Sequence, residues 1–161
     1  MDVYLIQHAE SKPKEEDPAR PLTDRGRKSV ENVGAHLVRL GVDFDRVFHS
    51  GKLRARQTAE ILGASLRIND KVQARTGLDP TDPVEPIVRW LSEQAERGLK
   101  SIAIVGHLPF LDRLASILVT GNESAEVVAF QYVGVVRLVP NGQGEGYRVR
   151  WMLAPELIIP T

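Results

Sequence analysis

Two stretches of the chain end alike: "VYLIQH" closes on His8 and "SIAIVGH" on His107. A histidine at the end of an apolar run can be a nucleophile, a metal ligand or only the polar end of a strand. Two at equivalent positions, accompanied by the arginines of "RPLTDRG" (20–26) and "SGKLRARQTAE" (50–60), point to an anion. Arginine's planar fork donates paired hydrogen bonds to phosphate, and free amides at a helix start add to the attraction. A histidine attacks phosphorus through a neutral ring nitrogen, so its other nitrogen must donate to a fixed acceptor such as a backbone carbonyl. No spacing resembles a metal cage such as H-E-x-x-H, and a chain without cysteine has no thiolate ligand or nucleophile. No metal and no cofactor are expected.

The elements that must position these residues follow from periodicity. Val3 to Ile6 is a continuous apolar run, as in a central strand covered on both faces, and places His8 just past its carboxyl end. Thr23 can cap a helix whose stripe runs through Val30, Val33, Leu37 and Leu40 and stops at Gly41. "RVFHS" (46–50) reads as a second strand, turned by Gly51 into a helix over 53–62. Asp82 is placed to cap the next helix, with Pro83 in its first turn, Glu85 completing a capping box, and Val84, Ile87, Leu91 and Ala95 on one face before Gly98. "SIAIVGH" (101–107) is a third buried strand, and Pro109 opens the helix "FLDRLASILV". Strand-like runs at 127–130, 133–139 and 147–153 follow, the last two forming an antiparallel hairpin at the sheet edge. Alternating strands and helices predict a three-layer α/β/α sandwich with a mostly parallel central sheet. In such sheets ligands bind outside the carboxyl ends of the strands, where His8, Ser50 and His107 fall.

The bulk numbers agree with one compact domain over residues 1–161, with 42% hydrophobic and 26% charged residues. The 21 basic residues balance 21 acidic ones, so no global field draws the chain to nucleic acid or an anionic membrane, and any anion site is local. The run "RGRKS" has no interleaved aromatics, which argues against a nucleic-acid platform. No apolar run approaches a membrane span and "MDVYLIQ" lacks signal-peptide features, so a cytoplasmic location is expected. His36 and His49 are expected to be structural or on the surface, and Trp90 and Trp151 to pack in the core or at its edge.

The ordered motifs "QHAE", "RPLTDRG", "SGKLRARQTAEIL" and "VGHLPFLDRLASIL" resemble the histidine phosphatase superfamily, which includes phosphoglycerate mutases and acid phosphatases, and more narrowly its short SixA-type phosphohistidine phosphatases. The resemblance spans essentially the whole chain. It implies a phosphoglycerate mutase-like fold, a covalent phospho-His8 intermediate, Arg54 and His107 as catalytic partners and phosphate ligands, and Arg20 as a further phosphate contact. It also implies hydrolysis of phosphohistidine on a partner protein such as a phosphotransfer domain, with phosphate or its mimics in the pocket.

Two positions depart from the pattern. Gln7 stands where the family has arginine, keeping an amide donor for phosphate but removing a charge that Lys12, Lys14 or Lys52 could restore. Ala9 stands where it has glycine. Asp79, Asp82 and Glu10 are the candidate proton donors, each with an ordinary capping or loop role as the alternative. This sparse set of acids favours imidazole, which departs readily once its ring is protonated, over an alkoxide. The alternatives are a phosphatase for small phosphate esters and a phosphate-binding module that Gln7 has impaired.

Overall fold

The structure, a computed structural model, describes residues 1–158. The first strand, β1 (Asp2–Gln7), has four consecutive buried residues because both of its faces are covered. Tyr4 and Ile6 face one core with Val30, Val33 and Leu37 of helix α1 (Asp24–Arg39) and Ala55, Ala59 and Leu62 of α2 (Leu53–Leu66). Val3 and Leu5 face the other, with Ile87 and Leu91 of α3 (Glu85–Glu96) and Phe110, Leu111 and Leu114 of α4 (Phe110–Thr120). Period-two alternation along one strand thus feeds two separate cores, which makes the chain the expected α/β/α sandwich.

The remaining strands are β2 (Arg46–His49), β3 (Val72–Ala74), β4 (Ser101–Gly106), β5 (Val135–Pro140) and β6 (Tyr147–Leu153). They form one sheet in the order β3-β2-β4-β1-β5-β6. β4 runs parallel to β1 from Asp2↔Ser101 to Gln7↔Gly106, and β2 runs parallel to β4 up to His49↔Val105. β5 lies antiparallel to β1 and carries β6 as the hairpin. This register brings residue 8, residue 107 and residue 50 to one edge.

Several expected boundaries shift. The segment 127–130 is not a strand, and β5 starts at Val135 because Val133 adopts a left-handed φ of 61° that breaks extended pairing. Asp82 does not cap α3: its Oδ2 accepts from the Asp79 N–H at 2.9 Å, closing a loop turn, and the helix begins at Glu85 with Pro86 in its first turn. Pro109 is the residue before α4 rather than its first. Leu40 lies past the end of α1 and is exposed, as is Ala95 on α3. α2 runs on to Leu66, ended by Arg67 in the left-handed region. β3 is three residues, half-buried Val72 and exposed Gln73 and Ala74, too short to leave a periodic signal.

Thr23 does cap α1, its Oγ1 accepting from Gly26 N–H at 2.9 Å. Gly26 has a second reason to be glycine, since a Cβ there would lie 2.2 Å from the Glu10 carbonyl oxygen. The start of α1 is thereby pressed against the backbone two residues beyond His8. Gly26→Ala is expected to lower stability by about 1–3 kcal/mol in urea melts, the usual range for overpacking. A loss below 0.5 kcal/mol would show that the contact yields freely.

Candidate active site

His8 continues the β1 ladder through its N–H to the Gly106 carbonyl (3.0 Å). Its Nδ1 lies 2.7 Å from the carbonyl oxygen of Ala9, an acceptor only, so Nδ1 carries the hydrogen and Nε2 keeps its lone pair. The expected backbone acceptor is therefore the next residue's own carbonyl. Ala9 is fully buried with φ outside the left-handed region, so a methyl replaces the family glycine without backbone strain. The Ala9 N–H donates to Thr58 Oγ1 (3.0 Å), and the Thr58 hydroxyl donates to the Arg54 carbonyl (2.8 Å).

Arg54, Gln57 and Thr58 are spaced i, i+3, i+4 and share one face of α2. Gln57 Oε1 accepts from the Leu22 N–H at 2.8 Å, tying the "RPLT" loop to the same helix. In that loop Arg20 has a left-handed φ of 51°, while its side chain donates to the Lys12 carbonyl and to Ser11 Oγ, both at 3.2 Å. A costly backbone geometry held by this many contacts is typical of a functional loop. Sequence reasoning found the arginines but not Gln57 or Thr58, which look like ordinary helical residues until the loops they hold are in place.

The His107 ring lies beside His8, centroids 5.1 Å apart, and its Nε2 is 2.6 Å from Ser50 Oγ. Ser50 had no assigned role; it ties the second histidine to the end of β2. Tyr132 was not singled out either, yet its ring centroid is 5.6 Å from that of His8. His49 is buried and accepts from the Gly51 N–H, a structural role. Gln7 projects from the end of β1, on the face of Leu5 by alternation, with its Oε1 buried and unpartnered.

The site is electropositive and short of acids. Burial pushes the His8 pKa down to about 4, helped by Arg54 and Arg20 and opposed by the Ala9 hydrogen bond. Burial also takes His107 down to about 3, with His8, Arg54, Lys52 and Arg20 adding to the effect. Arg54 is itself depressed by burial and then by Arg20, and its Nε is buried without a partner. Like charges that converge and leave a buried donor unpaired are relieved by an anion. Of the three lysines, Lys52 is the one whose charge reaches a histidine, His107, and it also meets Asp79 at 4.0 Å. Glu10 is held ionised by Arg25 at 2.6 Å and by Thr23, which is unsuited to proton donation. Among the described residues no group of three His, Cys, Asp or Glu could hold a metal ion, and no helix is long and apolar enough to cross a membrane.

The model of the histidine phosphatase superfamily (branch 1) matches residues 3–82. The chain is 33% identical over 137 residues to an uncharacterised protein of Picosynechococcus sp., covering 83% of this chain and 76% of that one. To phosphohistidine phosphatase SixA of Escherichia coli it is 26% identical over 156 residues, 96% of this chain and 94% of the relative. The chain belongs to the histidine phosphatase superfamily. Within it the resemblance is to the SixA type, and the family makes it a phosphatase hydrolase. The solved structure of the protein histidine phosphatase SixA complexed with tungstate superposes with a TM-score of 0.85 at 24% identity, over 96% of this chain and 97% of that one. The shared fold is the phosphoglycerate mutase-like one.

The depressed histidine pKa values set a pH dependence. Unfolded histidine titrates near 6.5, so between that value and the folded values of about 4 and about 3 the unfolded chain binds more protons. Stability contributed by the neutral rings is full above about pH 6.5 and is lost as pH falls. Acidification from pH 7 to 5 is expected to cost up to about 2 kcal/mol per ring, with a flatter profile in His107→Gln. By NMR both rings should stay neutral at pH 5.5 in anion-free protein; a midpoint near 6.5 for either would contradict the burial argument.

Proposed function

We propose that the protein is a phosphohistidine phosphatase that dephosphorylates phosphohistidine on a partner protein through a covalent phospho-His8 intermediate. The observation that carries this reading is a neutral histidine of fixed tautomer among convergent cations, Arg54 with an unpaired Nε. The SixA relative supports the substrate class, and the tungstate in the SixA structure, a tetrahedral oxyanion like phosphate, supports the anion site.

In the first step His8 Nε2 forms a bond to phosphorus as the substrate's P–N bond breaks. Prior protonation of the substrate ring at its other nitrogen lets it depart as neutral imidazole. His8 becomes a phosphorylated imidazolium whose Nδ1–H stays on the Ala9 carbonyl. Water then attacks phosphorus, the P–Nε2 bond breaks, and dihydrogen phosphate leaves neutral His8 behind. Arg54 and Arg20 offset charge on the phosphoryl oxygens and the neutral His107 adds a polar contact, the kind of electrostatic positioning that dominates phosphoryl transfer. Gln7 contributes a neutral amide contact, and no step calls for a strong protein acid.

Mixing with a phosphohistidine protein is expected to give an acid-labile phosphoryl adduct on His8 that His8→Ala lacks. Phosphate binding without an adduct would favour the impaired module that Gln7 suggests, and turnover of sugar or glycerate phosphates at comparable efficiency would favour the ester phosphatase. Gln7→Arg should tighten inhibition by inorganic phosphate roughly tenfold, the yield of one charge-assisted hydrogen bond. An unchanged inhibition constant would mean that the existing cations already meet the anion's charge.

A further inference from the structure

We infer that Tyr132 is a specificity residue: its ring forms the wall along which the departing imidazole of the substrate stacks. This rests on the proposed function and names the group that recognises the leaving ring. Tyr132 is 48% exposed, and its ring is tilted 43° to that of His8 at 5.6 Å between centroids. No hydrogen bond engages its hydroxyl among the described residues, and its one polar influence is a minor electrostatic one on Arg54.

The backbone around it is built to hold the ring in place. Val133 is fully buried yet sits at φ 61°, a costly geometry for a β-branched residue, and donates its N–H to the Gln7 carbonyl at 2.9 Å. Gly134 N–H closes a turn onto the Gln131 carbonyl at 3.0 Å. The left-handed residue lets Val133 enter the core while its neighbour stays outside beside the nucleophile.

In an in-line displacement the leaving group departs on the side of phosphorus opposite His8 Nε2, toward the open mouth of the site. An imidazole there, brought to about 4.5–7 Å from the Tyr132 centroid, would form an offset or tilted aromatic pair. Beyond Tyr132 a groove of about 300 Å³ continues along Glu10, Arg25, Ser29 and Glu156, with Tyr132 as part of its lining. The ring therefore stands between the phosphoryl site and the surface over which the rest of a protein substrate would lie. Since the face rather than the hydroxyl does the recognising, phenylalanine should serve as well.

Phosphoimidazole and phosphoramidate, P–N compounds with and without an aromatic leaving group, provide the test. Tyr132→Ala should lower kcat/KM for phosphoimidazole roughly tenfold and change that for phosphoramidate less than twofold, which also shows that the variant folds. Tyr132→Phe should match the parent on both. An equal fall on the two substrates, no fall on phosphoimidazole, or a loss in Tyr132→Phe equal to that in Tyr132→Ala would overturn the inference while leaving the phosphatase reading intact. If the parent protein cleaves esters but neither P–N compound, the phosphohistidine reading fails and this inference with it.

Discussion

The Thr58 hydroxyl is the point on which the site depends. It accepts the Ala9 N–H and donates to the Arg54 carbonyl, joining the turn after β1 to the first turn of α2. Ala9 in turn offers the carbonyl that fixes the His8 tautomer. One buried oxygen thus sets where the histidine ring points relative to the arginine's helix. Gln57, one residue earlier on the same helix, does the same for the Arg20 loop. The spacing of Arg54, Gln57 and Thr58 on one helical face makes the proposed anion ligand and its two anchors a single rigid unit.

Around that unit the electrostatics are left unbalanced. The chain as a whole is neutral, but Arg20 and Arg54 bear on both buried histidines and Lys52 on His107. Glu10, the acid adjoining the site, is drawn away by Arg25 and Thr23, so its charge is spent outside the pocket. Burial first, and then this positive charge, only partly offset by Asp79, keep both rings neutral, the state that the proposed attack on phosphorus requires. The same features cost stability at low pH, so the chemistry of the site and the acid sensitivity of the fold have one cause.

Much of this was legible in the sequence, for reasons specific to each residue. Buried parallel strands leave unbroken apolar runs, so β1 and β4 and the histidines beyond them could be read directly, and arginines beside helix starts stand out by type. Thr58, Gln57 and Ser50 could not be read this way, because each acts on a partner 35 to 57 residues distant. Tyr132 was hidden because the run 133–139 looked like strand from its first residue, whereas Val133 turns back through a left-handed conformation. Asp82 misled because an aspartate before proline makes an equally good loop turn, and the helix starts where Pro86 fits its first turn. Local pattern reports what an element needs, while these positions report what its neighbours need.

The two departures from the family pattern then differ in kind. Ala9 is absorbed by geometry: its φ is ordinary, and its methyl lies in the core that Thr58 helps to close. Gln7 removes the family arginine's charge from a site whose candidate acids Glu10 and Asp79 are paired with Arg25 and Lys52. With less positive charge, a site of the proposed kind would hold phosphate less tightly and be less able to stabilise a poor leaving group such as an alkoxide. It can still serve a leaving group that departs neutral. Imidazole protonated at its far nitrogen is such a group, and in the proposed mechanism the remaining cations need only hold the phosphoryl oxygens while His8 attacks. On the proposed reading, the missing arginine and the missing acid fit the same substrate: one that brings its own proton and has a flat ring for Tyr132 to meet.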